Sequence, residues 1–300
     1  MSFSSDVKNE LCKTGHLKPC CCAAEAYGVL LFCNTFSYRE IKIVTGSQAF
    51  ASRLPWLFNQ AFGFKFDVLP EEASGGKLTF RVTDREKIEK VFQTYGYSSD
   101  NYVALHINMA ILEEDCCRAS FLRGAFLSGG SVTDPEKSYH LEMVTPHYNI
   151  RGEVYSVLYE MGLTPKDAVR NGSYIIYFKQ SEYIEDLLTL MGAPIAAMEL
   201  MNTKVEKDIR NSVNRRVNCD TANLTKAVDA AQTQLEAIRK LVDSGVFESL
   251  QEKFRETALL RLENPDATLS ELAGMFDPPV TKSCLNHRLR KLVELSRDKE

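Results

Sequence analysis

Ala26-Tyr-Gly-Val-Leu-Leu-Phe-Cys-Asn34 and Leu122-Arg-Gly-Ala-Phe-Leu-Ser-Gly-Gly130 are two short apolar stretches with glycine at the third place, Gly28 and Gly124. Each reads as a helix. Glycine lets two backbones approach closely, so the two stretches are expected to pack against each other. The segments after the two stretches are also alike. After the first, the patterning predicts strands around Thr35 to Val44, a helix from Ser47 to Phe62, alternating strands over Phe64–Val68 and Lys77–Val82, and a helix from Asp84 to Gln93. After the second it predicts strands around Ser131 and over Tyr139–Thr145, and a helix over Tyr148–Met161. Strands near Leu163–Val169 and Ser173–Lys179 and a helix over Ser181–Met191 complete that half. The order is αββαββα twice, and the period-two alternation gives each sheet one buried face.

The remaining third is helical. Thr268 followed three residues later by Glu271 forms a capping box, in which each side chain accepts from a backbone N–H that the first turn would leave unpaired. Leu269, Leu272, Ala273 and Phe276 then make one apolar stripe. Asp277-Pro278-Pro279 stops this helix, and Thr281 can cap the next. That next helix carries Leu285, Leu289 and Leu292 on one face and Ser283, Asn286, His287, Arg290 and Lys291 on the other. Lys282, Arg288, Arg290 and Lys291 meet no acidic residue before Glu294. A helix apolar behind, and cationic with amide, hydroxyl and imidazole groups in front, suits the major groove of double-stranded DNA. Lys282, Ser283, Asn286, His287 and Arg290 are expected nearest the bases, with Arg288 and Lys291 on phosphates. An ordinary solvated amphipathic helix is the plainer alternative.

Three hundred residues suffice for about two domains. No stretch approaches the ~20 apolar residues that span a bilayer, and the start of the chain lacks the apolar core of a secretion signal. Nine cysteines, several adjacent, do not make a spaced disulfide framework, so a reducing cytoplasm is expected. Net charge is −4. Residues 1–200 hold 19 Lys+Arg against 24 Asp+Glu and residues 201–300 hold 17 against 16, so any attraction to DNA must come from local patches in the last third.

The two glycine helices resemble degenerate LAGLIDADG motifs, the paired central helices of monomeric homing endonucleases. Together with RNSVNRRVNCDTANLTKAVDAA (210–231) and LENPDATLSEL…DPPVTKSCLNHRLRKL near the end, they make nearly the whole chain similar to the WhiA family. The resemblance implies an α+β fold. Two LAGLIDADG-like αββαββα halves form a pseudo-dimer, followed by an all-α helix-turn-helix domain. It also implies a DNA-binding regulator of bacterial cell division, chromosome segregation or sporulation, associated with the nucleoid. Expected boundaries are 1–105 and 106–203 for the halves, 204–245 for linker helices and 246–300 for the helix-turn-helix domain.

In LAGLIDADG enzymes the eighth place of each motif is an acid that binds the metal activating water. Here those places are Cys33 and Gly129, and neither offers a carboxylate oxygen, so no catalysis is expected. Asp134 and the Glu113-Glu114-Asp115 run do not fill the same corner. Cys12, His16, Cys20 and Cys22 have zinc-ligand chemistry, but no later CxxC pair completes a module. No metal and no cofactor are therefore expected, and Cys116-Cys117 and Cys284 read as small apolar residues.

Met191-Gly-Ala-Pro194 marks a domain edge. Beyond it, Arg210, Arg215 and Arg216 with Asn211, Asn214 and Asn218 form either accessory DNA contacts or an interdomain helix. Leu224, Val228, Ala231, Leu235, Ile238 and Val242 then make an apolar seam, expected to dock on Phe254, Ala258 and Leu262 or to self-associate. Two function classes remain: a sequence-specific DNA binder, and an adaptor that contacts RNA polymerase, another transcription factor or the division machinery.

Overall fold

The computed structural model describes residues 2–15, 17–70, 76–97 and 105–297. It divides into two compact units, Met1–Lys207 and Asp208–Glu300.

The first unit opens with α1 (Phe3–Cys12), a helix that the sequence patterning does not single out. Ser2 caps it by accepting the Ser5 N–H, and Phe3, Val7 and Leu11 fall at i, i+4 and i+8 on its buried side. Then come α2 (Pro19–Phe32), β1 (Thr35–Phe36), β2 (Ile41–Thr45), α3 (Gln48–Phe62), β3 (Leu78–Val82) and α4 (Arg85–Thr94). The second half repeats the order with α5 (Asp115–Gly129), β4 (Gly130–Val132), β5 (Leu141–Thr145), α6 (Tyr148–Glu160), β6 (Lys166–Arg170), β7 (Ser173–Phe178) and α7 (Ser181–Met191). Local chemistry sets these ends. Ser47 and Asp84 accept N–H groups in the first turns of α3 and α4. Asn171 and Gly172, both at positive φ, make the two-residue turn between β6 and β7.

The sheets are antiparallel, ordered β1-β2-β3 in one half and β4-β5-β7-β6 in the other. The first has one strand fewer than expected, because Phe64–Val68 forms a single bridge, Val68 to Arg81, in place of a strand. The amides of Asp67 and Val68 both donate to the Arg81 carbonyl, which breaks the regular ladder. The Asp67 carboxylate meanwhile accepts the Thr83 and Asp84 N–H groups.

Helices α2 and α5 hold the halves together as a pseudo-dimer. A Cβ at Gly28 would run into the Phe121 carbonyl and stand 2.8 Å from the Ala125 nitrogen. Reciprocally, a Cβ at Gly124 would run into the Glu25 carbonyl and stand 3.0 Å from the Val29 nitrogen. One register shift maps Gly28 to Gly124, Glu25 to Phe121 and Val29 to Ala125, which is the signature of a two-fold contact. Both helices are buried on nearly every side, so neither has the apolar-polar division of a surface helix.

A fully buried carboxylate sits beside this contact. Glu25 takes two bonds from Arg53, at 2.6 and 2.9 Å, and one from Arg123 at 2.8 Å. Arg53 also donates to the carbonyls of Cys12 and Thr14, and Arg123 to the carbonyl of Met191 and the hydroxyl of Ser120. This one cluster joins α2, α3 and α5 and ties in the ends of α1 and α7. Buried charge is tolerated because each group is paired and hydrogen-bonded.

From Pro194 the chain runs as a single helix, α8 (Pro194–Asp243), through the division between the units. The expected linker helices are thus one uninterrupted element. In the second unit α8 is followed by α9 (Glu252–Glu263), α10 (Leu269–Gly274) and α11 (Lys282–Arg297). Their core joins Ile238, Leu241, Ala258, Leu272, Ala273, Phe276, Leu285, Leu289 and Leu292. The expected seam on α8 is only partly used: Ile238 is buried in this core, whereas Leu224, Val228 and Val242 are exposed. A helix of 12 residues such as α9 is only ~18 Å long and covers about three turns of its neighbour.

Candidate nucleic-acid interface

The candidate surface begins at the capping box on Thr268. Its hydroxyl accepts the Glu271 N–H at 3.3 Å, and the Glu271 carboxylate accepts the Thr268 N–H at 2.7 Å. The Thr268 N–H first, then the Thr268 side chain, hold the Glu271 carboxyl below its usual pKa. The helix they start is shorter than its stripe implies, ending at Gly274, yet Phe276 still reaches the core. The turn carries a cis Asp277–Pro278 bond and is closed by the Val280 N–H donating to the Ala273 carbonyl at 3.0 Å. Thr281 then caps α11, its hydroxyl accepting the Cys284 N–H at 3.2 Å.

Leu285, Leu289 and Leu292 are buried, so α11 is anchored by one face. Thr281, Lys282, Ser283, Asn286, His287, Arg290 and Lys291 are all exposed. Ser283, Asn286, His287, Arg290 and Lys291 line one open depression together with Glu294. Lys291 reaches Glu294 at 3.1 Å, while among the described residues Lys282 and Arg290 have no acidic partner. Arg288 stands apart: it is half-buried with its guanidinium 5.5 Å from the centre of the Phe276 ring, where the ring face attracts a cation. Arg210, Arg215 and Arg216 are exposed on α8, but at ~100° per residue they point in three directions and share no face.

Sequence patterning overlooks Arg261. It is buried on α9 and donates to the Ala267 carbonyl at 2.6 Å, pinning the loop that leads into α10. Burial lowers its pKa from the usual arginine value. Phe254, Ala258 and Arg261 fall at i, i+4 and i+7, so the spacing itself places this guanidinium on the inner face.

The two places expected to correspond to the nuclease acids, Cys33 and Gly129, are both tightly enclosed. Cys33 is buried, donates to the carbonyls of Leu30 and Thr35 at 3.1 and 3.2 Å, and has its pKa pushed up to about 12 by burial. It is a neutral thiol. Gly129 lies so close to β5 that a Cβ would strike the Val144 carbonyl and stand 3.2 Å from the Phe32 ring. Asp134 uses its carboxylate to accept the Glu136 N–H in its own turn.

Comparison with known proteins bears on both units. A model of the WhiA LAGLIDADG-like domain matches residues 118–210, and a model of the WhiA C-terminal HTH domain matches residues 213–296. Over 99% of its length the chain is 40% identical to the probable cell division protein WhiA of Ruminiclostridium cellulolyticum, of which 97% is covered. The protein of the same name from Alkaliphilus oremlandii is 38% identical, with 99% of this chain and 97% of that one aligned. In fold, the chain matches the crystal structure of full-length DUF199/WhiA from Thermatoga maritima with a TM-score of 0.62, at 22% identity and 99% coverage of each. The chain belongs to the WhiA family.

Proposed function

We propose that this protein is a non-enzymatic, sequence-specific binder of double-stranded DNA that regulates transcription in the service of bacterial cell division, chromosome segregation or sporulation. The observation that carries this function is the open face of α11, where Lys282, Ser283, Asn286, His287 and Arg290 stand together over a buried leucine stripe. Amide and guanidinium groups in that arrangement pair bidentately with adenine and guanine edges. Lys291, and Arg288 from its place over Phe276, serve the phosphates. Relatives that carry the name of a cell division protein support the process. A neutral buried thiol at Cys33 and the absence of side-chain space at Gly129 argue against phosphodiester cleavage.

The test is selection of duplexes from a random library by the full chain, followed by binding of Asn286→Ala and Arg290→Ala to the selected site. Each base contact is worth ~1–3 kcal/mol of discrimination, so each variant loses about fivefold or more in specificity. Variants that bind as the parent does would remove α11 from the interface. Plasmid DNA incubated with the protein and Mg²⁺ is expected to stay intact.

One observation favours an added role. Residues 1–200 carry a net charge of −5, which suits a protein surface better than a polyanion. RNA polymerase or another transcription factor is the partner class we assign to this unit, in the cytoplasm at the nucleoid.

A further inference from the structure

The first turns of α2 and α5 bring four thiols together. Cys20 and Cys21 stand eight and seven residues before Gly28, and Cys116 and Cys117 stand at the same places before Gly124. The two-fold relation that pairs the glycines therefore pairs the cysteines. Their four Sγ atoms all lie within 4.8 Å of one another, at the opposite ends of the helices from Cys33 and Gly129.

Four sulfurs around a single tetrahedral zinc ion, each ~2.3 Å from the metal, lie ~3.8 Å apart. The observed cluster needs only a small contraction to reach that geometry. A multi-iron cluster, with sulfides between its irons, would hold its cysteines further apart. We propose that Cys20, Cys21, Cys116 and Cys117 form a closed, structural Zn²⁺ site that joins the two halves of the first unit.

Three features suit the sulfurs to this task. Both pairs occupy helix N-terminal turns, where unpaired N–H groups and the positive end of the macrodipole favour thiolate. Cys21 and Cys117 are buried while Cys20 and Cys116 are exposed, so a metal has a route in and a low-dielectric floor. The Cys21 thiol donates to the Cys116 carbonyl at 3.7 Å, so this sulfur already joins the two helix starts. Binding requires the ion to displace the thiol protons to water, with no change of oxidation state. Burial raises Cys21 and Cys117 above the ordinary thiol. At Cys20 desolvation is outweighed by hydrogen bonds from Cys117 and Cys21, and the pKa is lowered.

Neighbouring cysteines do not compete. Cys22 is buried and Cys12 half-buried, and burial raises the pKa of both. His16 lies outside the described residues.

The experiment is elemental analysis of the full chain, expressed without a histidine tag and purified under reducing conditions without chelator. About one zinc per chain is expected. Cobalt(II) exchanged into the site should give the visible bands and sulfur-to-metal charge transfer of a tetrahedral thiolate centre. Cys20→Ser/Cys116→Ser, confined to exposed positions, should lose both signals, while Cys219→Ser/Cys284→Ser keeps them. A strong chelator should lower the melting temperature of the parent and leave that of Cys20→Ser/Cys116→Ser unchanged. Protein without zinc that also fails to take up cobalt, or a chain in which these cysteines are found in Cys20–Cys117 and Cys21–Cys116 disulfides, would overturn the proposal.

Discussion

Two kinds of helix divide the work in this molecule. The α2–α5 pair is enclosed on nearly every side, with a buried Glu25–Arg123 ion pair and main chains in contact at Gly28 and Gly124. Helix α11 is anchored by Leu285, Leu289 and Leu292 and leaves a full polar face to solvent. Packing constrains nearly every residue of the first kind and only one stripe of the second. Substitutions in the enclosed pair should therefore cost the fold, whereas substitutions on the open face of α11 should cost recognition and leave the fold intact.

The sharpest way to break this contrast is Gly28→Ala combined with Gly124→Ala. Overpacking typically costs ~1–3 kcal/mol when side chains can yield, but here each new methyl meets a carbonyl of the facing helix. We expect the cooperative melting transition of the first unit to be lost, as followed by circular dichroism. Retained melting would mean that the helices can separate cheaply. Next comes Glu25→Ala, which strands the buried guanidiniums of Arg53 and Arg123. Removing one partner of a buried ion cluster costs ~3–5 kcal/mol, measurable by denaturant unfolding. Leu289→Ala should cost ~2–5 kcal/mol, felt in the second unit, and should weaken DNA binding only through loss of folded protein. The smallest effect is that of Lys291→Ala. Because Glu294 already shares its charge, we expect unchanged melting and a salt dependence of DNA binding shallower by at most about one unit. A large loss of stability in that variant would erase the distinction between the two kinds of helix.

Legibility in the sequence divides along the same line. Elements with a clear period are readable: the second strand of each half, the helices after them, and the capping box on Thr268. The glycine pair is visible because the same residue stands at the same place in two similar stretches. The Glu25 cluster is not, since a glutamate and two arginines far apart in sequence look like solvated charges until tertiary contact desolvates them. Helix α8 reads as separate linker segments because its middle is polar on most sides. Yet no glycine or proline interrupts it from Ile195 to Asp243, and that is the available signal. The four-thiol cluster escapes a reading that weighs each cysteine run alone, with Cys12, His16, Cys20 and Cys22 grouped along one segment and Cys116-Cys117 set aside as small and apolar. Their common offset from the two glycines is the clue. On α11 the exposed face is legible from periodicity, but Arg288 leaning on Phe276 requires the turn geometry.

Gly129 limits what this corner of the fold can hold. With β5 pressed against its α-carbon, a codon change there to aspartate would create a collision with the Val144 carbonyl before it could create a metal ligand. A carboxylate could not be placed there by a single substitution, because the sheet would have to retreat first.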